Sequence, residues 1–134
     1  MPSDPSSVFG DVIYAYTRAQ ALADGVLVDF TELAREAGFT WPTAVSDHLY
    51  SEYLVPALPL LAEGQSLTGR LWDVLNVLRH TIAISQSKDE SYLRFTVLFA
   101  MAPGTAPVPI ELVSVAGPAD DGSPCLTLML PEDD

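Results

Sequence analysis

The chain has 134 residues, 49% hydrophobic and only 18% charged, yet eighteen carboxylates stand against six basic side chains for a net charge of −12. An acidic chain that stays disordered is poor in apolar residues, so this composition describes an anionic surface folded around a buried core. It excludes a disulfide scaffold, since Cys125 is the single cysteine, and it disfavours direct contact with a phosphate backbone.

At this length one domain buries roughly two-thirds of its unfolded surface without help from a metal or cross-link. Residues 1–8, with two prolines and three serines, read as a flexible arm, and residues 9–134 as a single α+β domain. The start lacks the basic and apolar regions of a signal peptide, which leaves the cytoplasm as the expected compartment.

The segment DVIYAYTRAQALADG admits two readings. Val12 to Tyr16 forms a short strand and Thr17, with Gln20 three residues on, caps a helix from Arg18 to Asp24 that Gly25 stops; or one amphipathic helix runs through from Asp11. The continuous helix is slightly preferred. VLVD is then a short apolar connector or strand, and Asp29 with Glu32 predicts a second capping box opening the helix TELAREAG. From Thr43 to Leu54 the four-residue spacing of Val45, Leu49 and Tyr53 predicts a helix, ended by Pro56 and Pro59.

The strongest periodicity lies in SLTGRLWDVLNVLRHTIAIS, where Leu67, Leu71, Val74, Leu75, Leu78 and Ile82 share a face and Ser66 is placed to cap. This predicts a central core helix over about 67–84, with Trp72 and Arg79 to one side of its buried stripe. Beyond Ser91 the pattern alternates. YLRFTVLFAM, PIELVSV and CLTLML predict strands joined by a wide loop and an Asp-Gly turn, so the expected fold is α+β: N-terminal helices packed on a C-terminal antiparallel sheet of about three to four strands.

Chemistry-bearing residues are few. His48 and His80 have no second ligand at zinc spacing, and GPADDGSP lacks the alternating oxygen ligands of a calcium loop, so neither a metal nor a cofactor is expected. Cys125 in an apolar run reads as a buried small hydrophobe rather than a nucleophile. No phosphate-binding glycine motif or hydrolase serine motif occurs. The charge, by contrast, is unevenly placed: residues 1–94 hold twelve acids and six bases, whereas residues 95–134 hold six acids and no base. An anionic surface favours a basic partner, and the candidate contact residues are Asp120 and Asp121 in the turn, Glu132, Asp133 and Asp134 at the end of the sequence, and Trp72 with Arg79 on the central helix.

The segments AYTRAQALADGVLVD, TELAREAGF, GRLWDVL and GPADDGSPCLTLMLPEDD together resemble an uncharacterised family of small acidic bacterial proteins carried on plasmids, phages and integrated elements. The resemblance runs from Phe9 to Asp134 and is poor over residues 43–65. It implies a mobile-element product and brings no catalytic residues. Proteins of that kind are similar in size and charge to inhibitors of bacterial defence, the anti-CRISPR and antirestriction proteins. The expectation is therefore a non-catalytic protein that binds and inhibits a basic, nucleic-acid-binding defence component, with no membrane or direct nucleic-acid contact. Two alternatives stand beside it. One is an ADP-ribosyltransferase-like enzyme, suggested by a faint similarity of IYAYTRAQALADGVL to the opening of that fold, with Glu111 as its carboxylate. The other is a homodimeric structural or regulatory protein.

Overall fold

The computed structural model describes residues 17–62, 64–85 and 91–133. Its first helix, α1 (Arg18–Ala23), begins at a true capping box: the Thr17 hydroxyl accepts from the Gln20 amide while the Gln20 side chain accepts from the Thr17 amide. Thr17 has extended backbone, so a helix continuous from Asp11 is ruled out; the strand Val12 to Tyr16 lies outside the described residues. Gly25, at φ +79, takes the left-handed conformation that ends α1.

Strand β1 (Leu27–Asp29) and helix α2 (Thr31–Glu36) follow. The expected Asp29–Glu32 capping box is absent: Phe30 is the N-cap, and Asp29 instead accepts from the Thr31 hydroxyl at 2.6 Å. The larger correction concerns residues 43–54. Thr43–Ser46 form β2, a strand, and only Asp47–Leu49 (α3) and a wider π-helical turn over Tyr50–Leu54 are helical. All four β2 residues are buried, which removes the alternation that marks a half-buried strand. Pro56 follows the turn, but Pro59 sits in the first turn of a further short helix, α4 (Leu58–Leu61), where its missing N–H is harmless.

Helix α5 (Leu67–Ile84) is as the periodicity predicts, with the Ser66 hydroxyl accepting from the Gly69 amide and Leu71, Val74, Leu75 and Leu78 fully buried. Three strands complete the chain: β3 (Tyr92–Phe99), β4 (Val108–Pro118) and β5 (Pro124–Met129), with a 3-10 turn over Pro131–Asp133. The sheet has five strands in the order β1-β2-β5-β4-β3 and is mixed, because β2 runs parallel to β5. The fold is α+β, but the antiparallel sheet of three to four C-terminal strands is corrected: two short strands from the N-terminal half extend it. Pro109 lies within β4, opposite Leu98 of β3, in the part of the strand that β5 leaves unpaired, since β5 pairs with Val113 to Pro118; this edge position is the kind that tolerates proline.

One sheet face carries Val45, Phe95, Val97, Leu112, Leu126 and Leu128, and these form the core with the α5 stripe. On the opposite face Ala44, Val113 and Cys125 are also buried, and Arg18 of α1 reaches it, donating to the Thr127 hydroxyl and to the Leu126 carbonyl. Among the described residues no helix is long and apolar enough to cross a membrane.

Candidate functional site

The surface charge follows from where the basic side chains point. Arg18 ends on Thr127 Oγ1 and the Leu126 carbonyl at 2.8 and 3.0 Å, Arg79 donates to the Ala37 carbonyl at 3.0 Å, and Arg70 donates to the carbonyls of Tyr53 and Ala100. Among the described arginines only Arg35 and Arg94 pair their guanidinium with carboxylates, Glu32 at 3.2 Å and Glu111 at 2.7 Å. Three of the five described arginines thus bond neutral oxygens rather than acids, and the anionic excess stays exposed.

The acidic residues singled out by sequence have varied positions. Asp120 accepts from the amides of Arg18 and Ala19 at 2.8 and 3.0 Å, capping the first turn of α1 from 101–102 residues away, where a negative charge also suits the helix dipole. Asp121 closes its own turn, accepting from the Ser123 amide and hydroxyl, and these bonds hold its carboxyl below the usual range. Glu132 is exposed, and Asp134 lies outside the described residues. The turn and the C-terminal residues flank opposite ends of β5, about 20 Å apart at ordinary strand rise, so they do not form one patch. Trp72 is 37% exposed on the outer side of α5, beside exposed Asp73, and two turns on Arg79 lies against Gly38.

Asp133 anchors a cluster that sequence did not show. Its carboxylate accepts from the Ser46 hydroxyl at 2.8 Å and the Leu130 amide at 3.1 Å, and meets His48 Nδ1 at 2.9 Å; Glu52 is 4.0 Å from Nε2. Serine, histidine and aspartate are together here, yet the serine donates to the carboxylate instead of to the imidazole, so no base activates it. The cluster clasps the 3-10 turn to the start of α3. Among the described residues no group of three or more His, Cys, Asp or Glu could hold a metal.

This clasp should show in a titration. The hydrogen bond with Asp133 raises His48 above its ordinary 6.5; desolvation, the next effect in size, opposes it, and the charges of Asp133, Glu132 and Glu52 add to the rise. For Asp133, desolvation acts upward but is outweighed by the bonds from Ser46, His48 and Leu130, leaving the carboxyl below 3.8. The histidine contribution is therefore complete below pH 6.5 and lost as pH rises through the raised value; the aspartate contribution is complete above pH 3.8 and lost as pH falls through the lowered one. Observed by NMR, the His48 ring protons should titrate above 6.5, and Asp133→Asn should bring the midpoint back towards it. A midpoint unmoved by that change means the contact does not form in solution.

A cleft of about 650 Å³ opens at the C-terminal end of α5, between the loop after α2 and the facing ends of β4 and β5. Phe39, Trp41, Ile82, Pro118, Pro124 and Leu126 give it apolar walls, and Ser114 lies among them. Sequence reasoning left this site unseen, although Ser114 is a lone polar residue inside the apolar run LVSV. Glu111 is on the other face of β4, half-exposed and paired with Arg94.

A family model described as a family of unknown function, DUF6573, matches residues 7–134. No curated protein and no solved structure matches the chain.

Proposed function

The chain belongs to the family of unknown function DUF6573, and we propose that it works without catalysis as an acidic protein occupying a basic, nucleic-acid-binding surface of another protein. The observation that supports this reading is the destination of its arginines: with Arg18, Arg70 and Arg79 bonded to neutral oxygens, the surface presents carboxylates that its own cations do not neutralise. Fixed carboxylates on a rigid fold compete with phosphates for a cationic groove, and charge complementarity of that kind accelerates encounter. In its finer form the protein is a mobile-element product inhibiting a bacterial defence complex of the anti-CRISPR or antirestriction type, a form that rests on the resemblance of its sequence segments.

The contact is assigned to acids that the fold leaves available. Among the described residues Glu36, Asp73 and Glu132 are exposed and make no hydrogen bond or ion pair, and Trp72 beside Asp73 supplies an apolar anchor of the type that dominates interfaces. Asp120 is set aside because it caps α1; Asp120→Ala should cost about 1 kcal/mol of stability. The test captures the partner from a bacterial lysate and then competes it with duplex DNA. The variant Glu36→Gln, Asp73→Asn, Glu132→Gln should retain its melting temperature and weaken capture about tenfold. Raising salt from 0.1 M to 1 M should weaken it as well, as the Debye length falls from about 10 to about 3 Å. Capture indifferent to salt, to DNA and to the three neutralised acids overturns the electrostatic reading.

A further inference from the structure

We propose that the cleft at the end of α5 is a binding site for a neutral, largely apolar, ring-bearing small molecule that offers one hydrogen-bonding group to Ser114. The inference is independent of the protein partner. Its centre is an anomaly in the sheet. Ser114 occupies the interior strand β4 on the helix-covered face, between Leu112 and Ala116, and is 2% exposed. Among the described residues no hydrogen bond reaches its hydroxyl, which lines the cleft. The hydroxyl is open to the cleft, since among the described residues Arg70 Nε is the buried side-chain polar atom left without a partner, so Ser114 keeps a donor and an acceptor free for whatever occupies the cleft. A ligand atom at that point takes up this free group.

The rest of the cleft sets the chemistry of what fits. Phe39, Trp41 and Leu126 present apolar surface, and Trp41, 43% exposed, offers a ring face for stacking at the mouth. No charged side chain is among the described lining residues. Arg79, beside the lining residue Gly38, engages its guanidinium with the Ala37 carbonyl. An ionised ligand would lose its hydration without gaining a counter-charge, and an anion would also be repelled by the net charge of −12. A neutral compound has neither penalty. The volume of about 650 Å³ lies in the range that encloses small organic ligands, about 300–1,000 Å³.

The probe is 6-propionyl-2-dimethylaminonaphthalene, a neutral two-ring fluorophore with one ketone able to accept from Ser114; its anionic comparator is 8-anilinonaphthalene-1-sulfonate. The neutral dye should bind saturably, with emission shifted to the blue and with energy transfer from tryptophan, and the anionic dye at least tenfold more weakly. Ser114→Ala should weaken the neutral dye about 3- to 10-fold, the effect of one hydrogen bond. Without dye its melting temperature should equal or exceed that of the parent, which a serine with a structural role would not allow. Ala116→Phe, which fills the cleft, should abolish binding with an unchanged circular dichroism spectrum. Absence of saturable binding, equal affinity for both dyes, or full affinity in Ser114→Ala would each overturn the proposal, and the serine variant decides it even if Ala116→Phe does not fold.

Discussion

Leu78→Ala should lower the free energy of unfolding by about 2–5 kcal/mol, and Leu75→Ala by a similar amount. Both side chains are fully buried in α5, against the sheet face that carries Phe95, Val97 and Leu112. A helix anchored at one end by its Ser66 cap and packed along its length cannot close the space a lost isobutyl group leaves. Total stability for a domain of this size is about 5–15 kcal/mol, so either change removes a large fraction of it. Trp72→Ala, on the exposed side of the same helix, serves as the contrast and should cost clearly less. Urea unfolding measures all three. Losses below about 0.5 kcal/mol at both leucines would show that α5 is not the core helix.

That helix was legible because its signal is local: six apolar residues at helical spacing, a serine cap in front and a polar stretch behind. β2 was not, and the reason is physical. Thr43–Ser46 is covered on both faces and runs straight into α3, so Val45, Leu49 and Tyr53 keep a helical spacing across a strand–helix junction. A fully buried strand of four residues carries no alternation to betray it. The parallel pairing of β2 with β5 joins residues more than eighty positions apart, which no local pattern encodes.

The candidate residues divide in the same way. GPADDGSP was readable as a turn, and Asp121 closes it; that Asp120 caps α1 depends on the tertiary approach of two distant segments. Likewise His48 and Asp133 are unremarkable 85 residues apart in sequence and 2.9 Å apart in space. Ser114 is the exception. A serine in the middle of an apolar strand is visible without a structure and asks what its hydroxyl bonds to.

Arg70 poses the same question with a charge, and it yields the second large effect: Arg70→Met should destabilise the protein by about 2–4 kcal/mol. The side chain is 5% exposed in the first turn of α5, and burial lowers its hold on its proton. One guanidinium nitrogen donates to the Tyr53 carbonyl at 2.7 Å, in the π-helical turn, and another to the Ala100 carbonyl at the exit of β3, with the Phe99 ring 5.8 Å beneath. It joins three elements that share no backbone hydrogen bonds. Methionine keeps most of the volume and relieves the burial of an uncompensated cation, but it leaves two carbonyls without their donor. A hydrogen bond to a charged group contributes about 1.5–3 kcal/mol, so the loss of two should exceed the relief. Arg70→Lys should not rescue, since one ammonium cannot reproduce a planar fork that reaches two carbonyls at once. Hydrogen exchange should report the damage in the amides of residues 50–55 and 98–100 before the centre of β4. An Arg70→Met protein as stable as the parent would mean that the cost of burying the charge outweighs both bonds, and that these elements hold together by apolar contact alone.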